Sequence, residues 1–314
     1  MIKLKAWISA ARLRTLPLSI SAIFVGVAIA NQKGYESTSI FILAVLTTVA
    51  FQITSNFAND YGDGIKGTDS EDRIGPKRAL QSGILNAKEL KSGIIISVIC
   101  SLVLTILLVY TAFGVENVLY SIVFILLGGI SVWAAVKYTV GDSPYGYRGL
   151  GDIYVFVFFG LVGVLGTLFL FTKQVYLATI LPAIAIGLLS VGVLNLNNLR
   201  DVVSDKKHNK ITLIVKYGFE NGKKYHYILL LTSFICMLIF YGLTFNSYSK
   251  LWYFIAYIPI IIHLKKVYKT KHPRELDTEL KKLTLSTLLL SLLFYIAVNS
   301  VSYTHLTLPT TPYV

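Results

Sequence analysis

The stretch IFILAVLTTVAFQITSNFAN, Ile40 to Asn59, runs without a break into DYGDGIKGTDSEDRIGPKR, Asp60 to Arg78. The first part holds no charged residue over 20 positions, enough for a helix to cross a ~30 Å hydrocarbon core. The second part packs five acidic residues between Asp60 and Asp72. An apolar span ending abruptly in acid predicts a membrane helix that delivers carboxylates to the water surface.

Outward from this stretch the same apolar pattern recurs. Spans are expected near Leu16–Ala30, Ile40–Asn59, Gly93–Phe113, Val118–Tyr138, Ile153–Phe171, Tyr176–Leu199, Tyr227–Thr244, Leu251–Val267 and Leu283–Val301. The expected fold is therefore all-α and multi-pass, with nine transmembrane helices in one domain over residues 1–302. Composition agrees: 54% of the 314 residues are hydrophobic and 14% charged, where soluble domains carry roughly 25% charged residues. Disorder, collagen and a disulfide scaffold are excluded, since there are 8 Pro, no Gly period and only Cys100 and Cys236, both inside apolar runs. The tail YTHLTLPTTPYV, Tyr303 to Val314, has neither helical period nor charge, and is expected to be disordered or non-native.

The net charge of +13 invites nucleic acid as a partner, but loop orientation explains it better. With a cytoplasmic N-terminus, 26 of the 29 Lys and Arg fall in inner segments, leaving only Lys33, Lys173 and Lys250 outside. No nucleic-acid partner is expected. The first span follows Lys3, Lys5, Arg12 and Arg14 like a signal peptide, yet no clear small-residue cleavage site follows, so it reads as a retained helix. The long polar segments all lie on the inner side, which places function on the cytoplasmic face of a cell membrane.

Asn56, Asp60 and Asp63 stand at i, i+4 and i+7 and share one helical face, with Asp69 beyond Gly64 and Gly67. A second stripe occurs in NLNNLRDVVSDKKHNKITL, Asn195 to Leu213, where Asn197, Asp201 and Asp205 stand at i, i+4 and i+8. Both stripes close even-numbered spans and so emerge on one side. Carboxylates at a helix C-terminus oppose the macrodipole, and a divalent cation reverses that sign. Oxygen-only ligands without His or Cys favour Mg²⁺, which is usually shared with substrate phosphates. Lys66, Arg73, Lys77, Arg78, Arg200, Lys206, Lys207 and Lys210 lie beside the carboxylates. Carboxylates for the ions and Lys or Arg for the outer oxygens are what a metal-bridged diphosphate needs. For the basic residues alone, solvated loop charge is the ordinary explanation; acidic residues at the ends of membrane helices are costly and usually functional. His208 reads as an ordinary loop residue.

A third inner segment, KYTVGDSPYGYRGLGD from Lys137 to Asp152, is rich in bends. Tyr138, Tyr145 and Tyr147 fit either a cation-stabilising pocket or interfacial anchoring.

At these three segments the chain resembles the UbiA superfamily of intramembrane aromatic prenyltransferases, and within it the 1,4-dihydroxy-2-naphthoate polyprenyltransferases of menaquinone biosynthesis. Asn56, Asn59, Asp60, Tyr61, Asp63, Gly67 and Asp69 match NxxNDYxDxxxGxD, and the DRIGP of Asp72 to Pro76 follows similarly. Asn198, Arg200, Asp201, Asp205, Lys210, Thr212 and Leu213 match NNxRDxxxDxxxGKxTL, with Asn209 where the family usually has Gly. Tyr138 to Asp152 match YTxGxxPYGYxGLGD, and ARLRTLP, Ala11 to Pro17, is similar to the family's start. Asn tolerates a left-handed turn, so the Asn209 loop is expected to survive.

The resemblance implies two four-helix pseudo-repeats plus a final helix around a cavity. It implies Mg²⁺ held by Asn56, Asp60, Asp63, Asp69, Asn197, Asp201 and Asp205, diphosphate held by Lys66, Arg73, Arg200 and Lys210, and Tyr138 and Arg148 at the reacting groups. The implied partners are a polyprenyl diphosphate, a small aromatic acid and membrane lipid. The implied reaction prenylates the naphthoate ring with loss of its carboxylate. Rival readings are a UbiA-type enzyme acting on 4-hydroxybenzoate, haem or a chlorin, and, from another class, a cation transporter. Transporter sites usually lie near the midplane on broken helices, whereas these carboxylates lie at helix ends.

Overall fold

The computed structural model describes residues 2–68, 74, 78–245 and 248–300. Two expected site residues, Asp69 and Arg73, lie outside the described residues, as does the tail. The described residues are helical, with no strand among them. In chain order the helices are α1 (Ile2–Ala11), α2 (Leu16–Gln32), α3 (Thr38–Ile65), α4 (Ala87–Phe113), α5 (Val118–Lys137), α6 (Gly151–Val155), α7 (Thr167–Thr172), α8 (Ile180–Lys207), α9 (Leu213–Tyr217), α10 (Phe219–Thr244), α11 (Tyr257–Lys269) and α12 (Asp277–Asn299). A π-helical segment, Phe156–Gly166, joins α6 to α7 in one rod, and a 3-10 segment, Tyr248–Ala256, leads into α11.

Local chemistry sets the boundaries. Ser37 starts α3 by accepting from the Ile40 amide at 3.3 Å, and Asn86 with Glu89 forms a capping box on α4. Gly114, at φ +61°, ends α4.

Among the described residues, eight helices are long and apolar enough to cross a membrane. The ninth expected span, Leu251–Val267, is a composite: 3-10 Tyr248–Ala256 followed by α11. At 2.0 and 1.5 Å per residue the two pieces together reach about 37 Å, a length that matches the core thickness. Pro259 sits in the first turn of α11, where its missing N–H leaves no helical bond unmade. The chain is a multi-pass membrane protein, and the exposure of the large apolar side chains of Ile95, Ile96, Ile106, Leu119, Ile122 and Leu126 accords with an outer surface made for lipid.

The halves echo one another. Helices α3 and α8 are each 28 residues long; α3 packs on α4, as α8 packs on α10. Helix α12 closes the bundle by lying against α2 and α8, and one apolar core joins Val25, Ala28, Leu189, Met237, Leu290 and Phe294. Small residues allow the closest crossings, since lipid supplies no hydrophobic drive between helices. A Cβ on Gly160 would fall 2.7 Å from the Ala183 carbonyl oxygen and the Gly187 Cα.

Candidate active site

Helices α3 and α8 continue past the apolar spans by one to two turns, so both acidic stripes sit on regular helix. The stripes face each other across the mouth of a cavity, and three connections converge on them.

The first connection is the break between α1 and α2. Arg12 adopts the left-handed conformation at φ 49°, which turns the chain and directs its guanidinium onto Asp60. Arg78 Nη1 lies 3.3 Å from the same carboxylate, and the Ala79 amide donates to Asp60 Oδ2 at 3.4 Å. Asp60 is thus buried under two arginines. One turn earlier, Asn56 Nδ2 donates to the Ala11 carbonyl at 2.8 Å and to Thr15 Oγ1 at 3.2 Å, tying the break to α3. One turn later, Asp63 accepts from the Tyr147 hydroxyl at 2.8 Å. That hydroxyl lies 2.6 Å from Thr68 Oγ1, which donates to it because its own proton is committed to Asp63.

The second stripe is organised by Arg200, which is 1% exposed. Its Nε and Nη2 donate to the two oxygens of Asp201 at 2.8 and 2.6 Å, a bidentate pair. Nη2 also donates to Asn197 Oδ1 at 2.8 Å, and Nη1 to Asp277 Oδ1 at 2.7 Å. Asp277 opens α12, so Arg200 fastens α8 to α12.

The third connection, Tyr138 to Leu150, presses on α3. The Thr139 hydroxyl donates to the Ala58 carbonyl at 3.0 Å, and Gly62 leaves the space that Thr139 fills. The Ile211 amide donates to the Tyr147 carbonyl at 3.1 Å, joining this loop to the turn after α8. Asn209 takes φ 55° in that turn, the left-handed conformation expected of it.

Lys210 stands between the two stripes. It is buried, 3.9 Å from Asp205 Oδ1, and its Nζ lies 5.4 Å from the Tyr147 ring centre. Burial opposes its charge, but Asp63 and Asp205 outweigh burial and hold the ammonium above its ordinary range. Burial pushes the Tyr138 hydroxyl up to about 12 and raises those of Tyr145 and Tyr147 too, so these tyrosines stay neutral.

The cavity below has a volume of about 680 Å³. Among the described residues, its polar end is lined by six basic residues (Arg12, Arg14, Arg78, Arg200, Lys210, Lys281) and four acidic ones (Asp63, Asp201, Asp205, Asp277). The excess of positive charge suits a polyanion. From Asp63 the wall follows α3 down to Ala44, about 28 Å at 1.5 Å per residue. The deep end is apolar, lined by Leu108, Val109, Phe124 and Leu170. An aromatic ladder descends between the two ends. Tyr138 and Tyr145 meet edge-on at 5.3 Å, Tyr145 stacks on Tyr154 at 3.8 Å, and Tyr154 on Phe158 at 6.3 Å. The lower rungs stand on the rod's first turns and its π segment, whose wider turns re-aim side chains toward the cavity.

The expected site residues divide accordingly. Asn56, Asp63, Asn197, Asp201, Asp205, Arg200, Lys210 and Tyr138 line the cavity together. Asp60 lies just behind its wall, held by Arg12 and Arg78. Lys66 is exposed, donating to the carbonyls of Thr139 and Gly141 at 3.1 and 2.8 Å; burial of its base lowers its basicity against the pull of Asp63 and Asp142. Arg148 is exposed on the outer side of its loop, with Ser143 Oγ at 3.5 Å, and is off the cavity wall. Tyr147 buttresses Asp63 rather than joining the ladder. His208 Nδ1 lies 2.9 Å from the Ser204 carbonyl oxygen, outside the cavity.

Sequence reasoning missed Arg12, Asp277, Tyr154 and Phe158 as site residues. Arg12 and Asp277 are distant in sequence from the acidic stripes, and Tyr154 and Phe158 read as ordinary span residues.

Among the described residues no three acidic, His or Cys side chains form a closed metal cage. Among the described residues the carboxylates and amides on the wall offer oxygen: Asp63, Asp201, Asp205 and Asp277, with Asn56, Asn59 and Asn197; Asn56, expected as a ligand, instead ties α3 to the break before α2, with its oxygen accepting from Gln52. That chemistry fits Mg²⁺, held weakly by these groups and completed by substrate oxygens.

Comparison with known proteins bears on the family and the fold. Residues 19–293 match the UbiA prenyltransferase family. The chain is 44% identical to the 1,4-dihydroxy-2-naphthoate octaprenyltransferase of Haemophilus influenzae, over 93% of this chain and 95% of that protein. It is 40% identical to the protein of the same name from Escherichia coli, over 94% and 95%. In fold it is similar to a UbiA homologue from Aeropyrum pernix, with TM-score 0.65 and 14% identity over 91% of this chain and 98% of that one. It is also similar to a UbiA homologue from Archaeoglobus fulgidus bound to DMAPP and Mg²⁺, with TM-score 0.62 and 17% identity over 92% and 99%. On motif, matched length and fold together, this chain belongs to the UbiA prenyltransferase family.

Proposed function

We propose that this protein transfers a polyprenyl group from its diphosphate to 1,4-dihydroxy-2-naphthoate, with decarboxylation, giving demethylmenaquinone in its reduced, quinol form. The carrying observation is one continuous cavity, cationic and carboxylate-lined at its mouth, aromatic in the middle and apolar below. The names of the two relatives at 44% and 40% identity supply the acceptor.

In this reading Lys210, Arg200, Arg78 and Arg12 bind the diphosphate and stabilise the charge that grows on it as the allylic C–O bond breaks. Asp63, Asp201, Asp205, Asn59 and Asn197 would hold Mg²⁺, which when bound neutralises the inner diphosphate oxygens. Tyr138, Tyr145, Tyr154 and Phe158 line the path of the allylic cation, and a ring face open to it contributes about 0.5 to 2 kcal/mol. The neutral hydroxyls of Tyr138 and Tyr145 make poor nucleophiles, so the cation survives until the electron-rich ring attacks. Attack at the carbon bearing the carboxylate restores aromaticity by loss of CO₂, so no general base is needed at that carbon. The apolar end receives the chain, which at about 0.8 kcal/mol per CH₂ does not leave lipid. The 26-to-3 distribution of basic residues supports a cytoplasmic mouth in the cell (inner) membrane.

The test is turnover in detergent with octaprenyl diphosphate, Mg²⁺ and carboxyl-labelled 1,4-dihydroxy-2-naphthoate. Labelled CO₂ and diphosphate should appear in equal amounts. Product retaining its carboxylate, or transfer to 4-hydroxybenzoate alone, would sink the proposal.

A further inference from the structure

A second polar cluster lies outside the cavity, inside the half of the bundle formed by α8, α10, α11 and α12. Asn195 Nδ2 lies 3.3 Å from His226 Nδ1, His226 Nε2 lies 2.9 Å from His263 Nε2, and His263 Nδ1 lies 2.7 Å from Glu279 Oε2. Each of these four residues is no more than 1% exposed. Glu279 also accepts from Lys282 at 2.5 Å, the one member whose side chain reaches the surface, at 60% exposure.

One ordering of protons satisfies every contact. With Glu279 ionised, His263 donates from Nδ1 and therefore accepts at Nε2; His226 donates from Nε2 and accepts at Nδ1 from the Asn195 amide. Each link thus fixes the tautomer of the next. The four members stand on four different helices, α8, α10, α11 and α12. Arg200 to Asp277 joins α8 back to α12 at 2.7 Å, so the polar contacts close a ring through all four. Asn195 precedes Arg200 by about 7.5 Å along α8, and Glu279 follows Asp277 by about 3 Å along α12. Buried polar groups in a membrane bundle are expensive unless paired and specify one packing when paired.

We propose that Asn195, His226, His263 and Glu279 are positioning residues for the diphosphate face: they fix the register of α8 against α12 and so hold Arg200, and through it Asp201, in place. The inference rests on the reading of that face as the diphosphate site.

The probe is Mg²⁺-dependent binding of geranyl S-thiolodiphosphate to the full-length protein, by calorimetry in detergent. His263→Leu and Asp277→Asn should each weaken binding about tenfold, as loss of an outer partner of a ligand group does. Because both break the same ring, the double variant should bind no worse than the poorer single. His263→Gln, whose amide carries one acceptor and a donor, should recover most of the affinity. Native affinity in His263→Leu, or losses that multiply to about a hundredfold in the double variant, would overturn the proposal. If His263→Leu does not fold, Glu279→Gln replaces it in the same cycle. Failure of the native protein to bind the analogue would refute the diphosphate reading itself, and this inference with it; binding without naphthoate turnover would refute only the acceptor.

Discussion

Replacing Lys210 by Met removes the cation between the two acidic stripes while nearly preserving its shape. Its ammonium lies 3.9 Å from Asp205 and is also felt by Asp63. At about 4 Å and an effective dielectric of about 20, one such contact is worth about 4 kcal/mol. The loss has a ceiling, because a stranded carboxylate can take a proton, which at pH 7 also costs about 4 kcal/mol. At about 2 °C per kcal/mol for a chain of this length, Tm in EDTA should fall by up to about 8 °C. Mg²⁺ at 10 mM should recover more Tm in the variant than it adds to the native protein, since the ion supplies charge to the same carboxylates. Turnover should still fall by about 10² to 10³ at saturating Mg²⁺, because the leaving diphosphate loses a donor. Melting curves with and without Mg²⁺, beside steady-state kinetics, read all three quantities. A variant as stable as the native protein in EDTA, with an equal gain from Mg²⁺, would refute the placement of Lys210 as the internal counter-charge.

Three other perturbations probe the remaining parts. Tyr138→Phe keeps the ring face and should retain most turnover, whereas Tyr138→Ala should lose about 2- to 30-fold, the range of one cation–π contact; equal loss in both would assign the work to the hydroxyl. Gly62→Val forces a Cβ to within 2.5 Å of Thr139 Oγ1 and should destabilise by about 1 to 3 kcal/mol while depressing turnover. Gly129→Ala, which meets nothing within 4 Å, is the control for that variant and should melt no lower than the native protein. Single cysteines at Gly67, Ser143 and Asn209 in a Cys100→Ala, Cys236→Ala background should be labelled only from the cytoplasmic side, and one at Gly34 only from outside. Labelling of Gly67 and Asn209 from opposite faces would end the shared-site reading.

Sequence by itself determined the membrane class, the approximate spans and the two carboxylate stripes. Apolar run length and the 3.6-residue period act locally, so a span and a helical face can be read from neighbours in the chain. The family resemblance, with Gly usual at that position, marked Asn209 as a left-handed turn, and its φ of 55° agrees. Tertiary structure alone decided which charges meet. Arg12 reaches Asp60 across 48 positions, and Asp277 reaches Arg200 across 77, pairings that no local period encodes. The same holds for Arg148, which shares a motif with Tyr138 yet turns outward while Tyr138 lines the cavity. The ladder needed Tyr154 and Phe158 from the following rod, where the π segment changes the angular period that a sequence reading assumes. The ring through Asn195, His226, His263 and Glu279 was invisible for the strongest form of this reason: its members lie on four helices, and only bundle packing brings their single polar atoms within hydrogen-bond distance.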